Sequence, residues 1–420
     1  MGPADKRVLY ISYNGMLQPL GQSQVIPYLK GLARRGFEFT LLSFEHGNAH
    51  SPAGRDECAR LKLELSAANI DWHWLRYHKR PSLPATGYDV WAGVRYCKRL
   101  ARLKSFGMVH ARSHIPATIA LQFKKKTGSR MIFDVRGLMA DEYVDAGHWR
   151  RDSTAYHITK KFEREAMSRA DGIVTLTRRI WPIIRDWDGL RGREVPHEVI
   201  PCCADLDRFR FSPEARIVER RNLGIEDRLV IVYSGSIDGW YLTEAMADFF
   251  AVLLQTRRDA SFLWLTQSNR ERLEAVMRER GIDSRNYKIV ASAPRDVPRY
   301  LAAADVGLAF IKPCFSKLAS SPTKYAEYLG CGLPLIINTG VGDSDALVRE
   351  HQAGVLVDGF AETDYLKAIE HLTGFTRRPQ ETRPRMRRVA ERLFDLETVG
   401  VQDYVRLYQR VLGLPPAGAQ

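Results

Sequence analysis

VGLAFIKPCFSKLASSPTKYAEYLGCGLPLIIN, residues 306–338, runs from an apolar strand candidate through a hydroxyl-rich loop and a short helix into a second apolar strand. Strand, loop, helix and strand in that order are the unit of a parallel sheet. Within it, Pro322 directly after Ser321 is the pairing expected at a helix start, because proline has no N–H to lose there and its φ suits the first turn. Gly330 and Gly332 are the stop signals. The free N–H groups of that first turn lie beside Ser320, Ser321 and Thr323, with Lys324 in the same turn, so the junction offers donors and positive potential to an anion. Glu327, one turn beyond Thr323, places an acceptor for hydroxyl groups near that anion. A phosphate with hydroxyls nearby describes a nucleotide or sugar nucleotide. The simpler alternative is a capped surface helix in which Lys324 and Glu327 pair with each other.

The same rhythm extends in both directions. Strand candidates fall at 7–13, 37–45, 72–77, 107–112, 130–135 and 172–176, with VIP (199–201) closing the half, and a helix is expected near 23–35. A proline-rich connection around 195–213 follows, and the alternation restarts at 229–235, 261–266, 287–292, 306–311, 333–338 and 354–358. This pattern predicts an α/β protein of two doubly wound domains, 1–203 and 204–391, with a closing helix over 392–413 that packs on the body. Ligands of such sheets bind outside the carboxyl ends of the strands, and SSPTK stands in such a place.

The 420 residues suit two domains, each long enough to bury its own core. The six cysteines show no CxxC pair or ladder of spacings, which argues against a structural zinc or a disulfide framework and fits a reducing cytoplasm. No apolar run has the length of a membrane span. The net charge of +14 is lopsided, with 33 Lys and Arg against 20 Asp and Glu in residues 1–200. An anionic partner for the first half follows, an anionic membrane surface or a pyrophosphate-bearing acceptor, with RYCKRLARLKSFG (95–107) as the densest basic segment. Zinc-finger spacing, a recognition-helix signature and RNA-binding aromatic motifs are missing, so nucleic acid is not expected. The absence of GxGxxG after the first strand argues against an oxidoreductase. DLD (205–207) and DSD (343–345) are short acidic triplets that arise by chance, and neither a metal nor a cofactor is expected.

Taken together, SPTKYAEYLGCGLPLIINTGVGD (321–343), VIPCCADLDRF (199–209), SRADGIVTLT (168–177) and LVIVYSGS (229–236) resemble the retaining, nucleotide-sugar-dependent glycosyltransferases of family 4. The resemblance implies a GT-B fold of two Rossmann-like domains facing across a cleft, with the donor held by the second and the acceptor by the first. It implies that Glu327 binds the ribose hydroxyls. The other signature glutamate, eight positions earlier, is replaced by Ala319. Ser236 and Trp240 stand where relatives carry cations, leaving Lys324 as the leading cation for the diphosphate, helped by backbone at Gly235 and Ser236. In the first domain it implies donor contact at Gly21 and Gln22, ahead of a helix starting near Ser23. It places His114 beside donor sugar and acceptor, with Asp134, Arg136, Asp141 and Glu142 as acceptor or charge-balancing candidates and His110 as structural. The implied partners are a UDP-, GDP- or ADP-sugar and a glycan or lipid-linked acceptor, in polysaccharide or glycolipid assembly at the inner face of a bacterial membrane. Two rivals are a nonhydrolysing sugar-nucleotide epimerase and a catalytically weakened membrane-associated relative.

Overall fold

A computed structural model describes residues 6–78, 80 and 82–415. The chain divides into two compact units, Met1–Pro201 with Leu396–Gln420, and Cys202–Asp395.

The first unit carries a parallel sheet of β1 (Arg7–Ser12), β2 (Glu38–Glu45), β3 (Ile70–Arg76), β4 (Met108–Arg112), β5 (Arg130–Val135), β6 (Gly172–Thr175) and β7 (His197–Val199), in the order β3-β2-β1-β4-β5-β6-β7. The second has β8 (Leu229–Ser234), β9 (Ala260–Leu265), β10 (Tyr287–Val290), β11 (Val306–Ala309), β12 (Leu335–Asn338) and β13 (Gly354–Val357), ordered β10-β9-β8-β11-β12-β13. Val8, Leu9 and Ile11 of β1, and Val230, Ile231, Val232 and Tyr233 of β8, are fully buried. Strands covered on both faces need continuous apolar runs, which is why they stand out in the sequence.

In each sheet the chain winds outward from a central strand and returns on its other side, so the order reverses between β1 and β4 and between β8 and β11. Strand-end loops diverge at such a reversal and leave a crevice. Helix Thr323–Gly330 leads down from the second crevice and buries Tyr325, Ala326, Tyr328 and Leu329. Tyr328 lies directly on β11. A Cβ at Gly307 would come within 2.2 Å of its ring, so only glycine admits the helix this close.

Three boundaries differ from expectation. The helix near 23–35 is two helices, Pro19–Gln24 and Ile26–Arg34, because Pro27 cannot donate the N–H that would carry the first through Val25. The closing helix does not begin at 392. Residues 392–394 end helix Pro379–Phe394, Asp395 turns extended, and the chain re-enters helical structure at Leu396 before helix Gln402–Leu412. Asp395 bridges to Ala204, whose N–H donates to the Phe394 carbonyl at 2.9 Å, and this pairing interrupts the helix. The connections between units therefore fall at 201–202 and 395–396 rather than 203–204 and 391–392.

Candidate functional site

At the crevice of the second unit, two loops leave adjacent strands and are stitched together. Leu242 N–H donates to Phe310 O at 3.0 Å and Lys312 N–H to Trp240 O at 2.9 Å, around an antiparallel bridge between Tyr241 and Ile311. This short ladder fixes where Trp240 and Tyr241 stand. Below it, Tyr328 Oη accepts from Ser234 N at 2.7 Å, tying the end of β8 to the helix. Gly235 then turns the chain at φ +141°, and a Cβ there would meet Lys324 Nζ at 3.0 Å and Tyr233 Oη at 3.3 Å. The Tyr233 hydroxyl donates to Ser236 O and holds the turn.

Lys324 is buried, and its Nζ has no hydrogen-bond partner among the described residues. The ammonium faces two rings instead, 3.6 Å from the centroid of Tyr241 and 4.2 Å from that of Tyr233. Aromatic faces stabilise a cation but accept no strong hydrogen bond, so the amine keeps its donor capacity. Burial lowers its pKa to about 7, opposed by the charge of Glu327. Burial in turn raises Glu327 to about 7, against the pull of Lys324 and Arg208. The alternative in which Lys324 and Glu327 pair is overturned: the amine hydrogen-bonds nothing, and its side chain is turned to the rings.

The helix start also differs from expectation. Thr323 is the first helical residue and Pro322 the cap, with φ −68° and ψ 119° and no side-chain capping bond. Ser321 does not cap the helix. Its Oγ accepts from Cys202 N at 3.1 Å, which pulls it one residue out of register with the first turn. Ser320 closes the 3-10 turn Phe315–Ala319 by donating its N–H to Lys317 O at 3.1 Å. Ala319, at the place of the missing glutamate, is buried.

A further cation at this crevice, Lys317, was not anticipated. It is buried, with Nζ 3.8 Å from the centroid of Trp240. Its carbonyl accepts from Gly342 N at 2.8 Å, which brings the TGVGD loop beside the junction. The available signal was a second lysine seven residues before Lys324, but Lys317 sits within the 3-10 turn Phe315–Ala319, where helical spacing does not hold. The acidic triplets serve turns: Asp205 Oδ1 accepts from Asp207 and Arg208 N–H, and Asp345 Oδ1 from Gly340 N–H.

In the first unit the candidates are largely engaged. His114 follows Ser113, whose φ of +76° marks a strained turn out of β4. The imidazole is buried and its Nε2 meets Glu163 Oε2 at 2.7 Å. Lys160 bonds Glu163 and Asp141, and Tyr156 donates to Asp141 at 3.2 Å. Burial opposes ionisation of Glu163, yet His114 and Lys160 hold its pKa below the ordinary value. Asp134 is fully buried beneath helix Gln402–Leu412, accepting from Tyr404 Oη at 2.9 Å, with His110 Nε2 at 3.5 Å and Arg136 at 3.6 Å. Its geometry is that of a structural anchor for the C-terminal helix. His110 joins the same anchor through Tyr408 Oη at 2.8 Å.

Gly21 lies inside helix Pro19–Gln24, not ahead of a helix at Ser23. Its bare Cα faces its own loop, where a Cβ would strike Gly15 O at 2.3 Å. Gln22 Nε2 donates to Met16 O at 2.7 Å. The loop's amides are partly taken, since Met16 N–H and Leu17 N–H donate to the buried Glu45 carboxylate at 2.7 and 3.5 Å.

Two doubly wound parallel sheets in two separate units, the second with a cationic strand-to-helix junction at its switch point, define the GT-B class of two Rossmann-like domains. Residues 23–208 match Glycosyltransferase Family 4 and residues 228–374 match Glycosyl transferases group 1, so the chain belongs to this family of glycosyltransferases. No curated protein matches it in sequence. Among solved structures it is similar to sucrose-phosphate synthase from Thermosynechococcus elongatus, at 16% identity and TM-score 0.72 over 97% of this chain and 99% of that one. It is similar to Anabaena HepE in complex with UDP, at 14% identity and TM-score 0.69 over 96% and 99%. WaaG, a glycosyltransferase involved in lipopolysaccharide biosynthesis, aligns at 15% identity and TM-score 0.63 over 97% and 100%. At these identities the likeness is one of fold.

Proposed function

We propose that this glycosyltransferase takes its sugar from a UDP-linked donor held at the second crevice and transfers it with retention of anomeric configuration. The observation that carries the reading is the buried, unbonded amine of Lys324 at a strand-end switch point. A desolvated cation with free donors suits a diphosphate, whose departure builds negative charge in the transition state. Lys324 stabilises the leaving diphosphate, helped by the amide at Thr323, by the backbone at Ser236 with Gly235 allowing close approach, and by the hydroxyls of Ser320 and Ser321. Glu327 accepts from the ribose hydroxyls. UDP and UDP-glucose occupy the similar HepE structures, which favours uridine over the other bases.

The acceptor attacks from the face that the diphosphate leaves, and a phosphate oxygen takes the acceptor proton. His114, braced by Glu163, orients donor sugar or acceptor rather than acting as a strong base. Gly21 and Gln22 belong to the segment that approaches the donor phosphates, and Arg136 serves the acceptor or balances charge. The acceptor is a glycan or lipid-linked saccharide of bacterial surface polysaccharide assembly, met at an anionic membrane. Arg95, Lys98, Arg99, Arg102 and Leu103 lie exposed along helix Ser82–Leu103, a basic face of the type that settles on lipid headgroups.

A panel of UDP-, GDP- and ADP-sugars, scored for thermal stabilisation and slow donor hydrolysis with anomeric configuration read by NMR, tests the reading. Stabilisation by UDP-sugars with retained product supports it. An epimer formed from donor alone would assign an isomerase instead.

A further inference from the structure

The carboxyl end of the first sheet holds a second arrangement that the donor reading leaves unused. Asp89, early in helix Ser82–Leu103, is fully buried. Its carboxylate collects three donors: Tyr13 Oη at 2.8 Å and His78 N–H at 3.0 Å on Oδ2, and His78 Nδ1 at 2.6 Å on Oδ1. Tyr13 follows β1 and His78 follows β3, so two strand-end loops and a helix converge on one carboxylate. A buried carboxylate bonded to Nδ1 fixes the imidazole tautomer with its hydrogen there and leaves a lone pair on Nε2. The His78 side chain is 37% exposed, so that nitrogen is available to a ligand.

Aromatic rings continue from the imidazole. Tyr88 meets His78 edge-on at 5.1 Å, and Trp91 lies 5.7 Å from Tyr88, the two rings being 53% and 55% exposed. Exposed rings alone would serve a lipid chain or a protein as well. A lone pair oriented by a buried carboxylate accepts a hydrogen from a ligand, and among the described residues no group of three or more His, Cys, Asp or Glu stands ready to hold a metal instead. An apolar face to lay on a ring, next to hydroxyl donors, is the chemistry of a pyranose.

We propose that His78 Nε2 with the Tyr88–Trp91 face forms a saccharide-binding subsite, which takes a neutral pyranose unit of the acceptor. Its role as acceptor subsite rests on the glycosyltransferase reading, whereas its binding of sugar does not.

The test uses the full chain and a panel of methyl glycosides of glucose, galactose, mannose and N-acetylglucosamine, followed by saturation-transfer NMR and titration, with UDP titrated in parallel. At least one glycoside is expected to bind, and His78→Ala and Trp91→Ala are each expected to weaken it about tenfold, the size of one hydrogen bond or one stacking face. His78→Gln, which retains an acceptor oxygen, should recover part of the loss, and UDP affinity should stay constant throughout. Glycoside binding that is indifferent to both alanine variants, or no binding by any member of the panel, overturns the proposal. Loss of UDP binding in the wild-type chain with glycoside binding intact would instead remove the donor reading and leave the subsite standing.

Discussion

Lys324 Nζ lies 3.6 Å from the centroid of the Tyr241 ring, and that contact replaces the ion pair with Glu327 that their spacing suggested. The rings shield the amine without using its hydrogens. A diphosphate bound there, as proposed, would gain a cation that has no internal acceptor to give up.

Proton uptake follows. The amine titrates near about 7 because it is buried, and a bound diphosphate favours its ammonium form. UDP binding at pH 8 should take up a proton, and affinity should fall as pH rises through 7 toward 9. Calorimetry at pH 8 in buffers of different ionisation enthalpy reads this directly. Lys324→Ala should abolish the buffer dependence and lower kcat by about 10²–10³-fold, as loss of one preorganised donor does. A binding enthalpy independent of buffer in the wild type would contradict the assignment.

Stability should move the other way. Unfolded, Lys324 keeps its proton up to the ordinary value of 10.5, whereas folded it loses it near about 7, so this residue makes stability rise with pH between those values. Lys324→Met removes the buried charge and should raise stability at pH 7 by about 1–4 kcal/mol while lowering turnover as Lys324→Ala does. Glu327 has the opposite sign. Its carboxyl stays protonated to about 7 in the folded chain and to 4.5 in the unfolded one, so its contribution declines as pH rises between them. Glu327→Gln should flatten that decline and weaken UDP binding. Denaturant unfolding from pH 5 to 9 checks both slopes.

Gly235→Ala puts a side chain at φ +141° and within 3.0 Å of Lys324 Nζ. A cost of about 1–3 kcal/mol is expected from the backbone alone. The displaced amine should also weaken UDP at least as much as Tyr241→Ala does, and Tyr241→Phe, which keeps the ring face, should be close to wild type. Equal affinity in all three variants would show that the aromatic box does not place the amine.

Much of this was legible in the sequence, for reasons that differ by residue. The inner strands, such as β1, β4, β8 and β9, were readable because they are buried on two faces and so largely apolar. Lys324 and Glu327 were readable because one short helix carries both. Lys317, Trp240 and Tyr241 were not grouped as a cation site, since their meeting depends on two loops clamped by backbone bonds between 240–242 and 310–312. Asp134 looked like a substrate group because its strand end did; its partner Tyr404 lies 270 residues away. Glu163, which braces His114, is 49 residues distant and sits on another helix. Local periodicity carries no information about such pairs.

That anchor has its own test. Burial opposes ionisation of Asp134, but Arg136 and His110 hold its pKa at about 2, below the ordinary 3.8. Its contribution is present above pH 3.8 and is lost as pH falls toward 2. Asp134→Asn should destabilise the first unit by about 3–5 kcal/mol at pH 7 through loss of the buried ion pair with Arg136, and Tyr404→Phe by about 1–3 kcal/mol. Thermal unfolding of both at pH 7, with UDP affinity unchanged, distinguishes an anchor from a substrate group.

The most direct measurement is a crystal structure of the full chain with UDP. The diphosphate is expected about 3 Å from Lys324 Nζ, at the start of helix Thr323–Gly330, with Glu327 bonded to the ribose hydroxyls. UDP bound elsewhere, with the Lys324 amine still facing Tyr241 and Tyr233 and nothing at the helix start, would contradict the account.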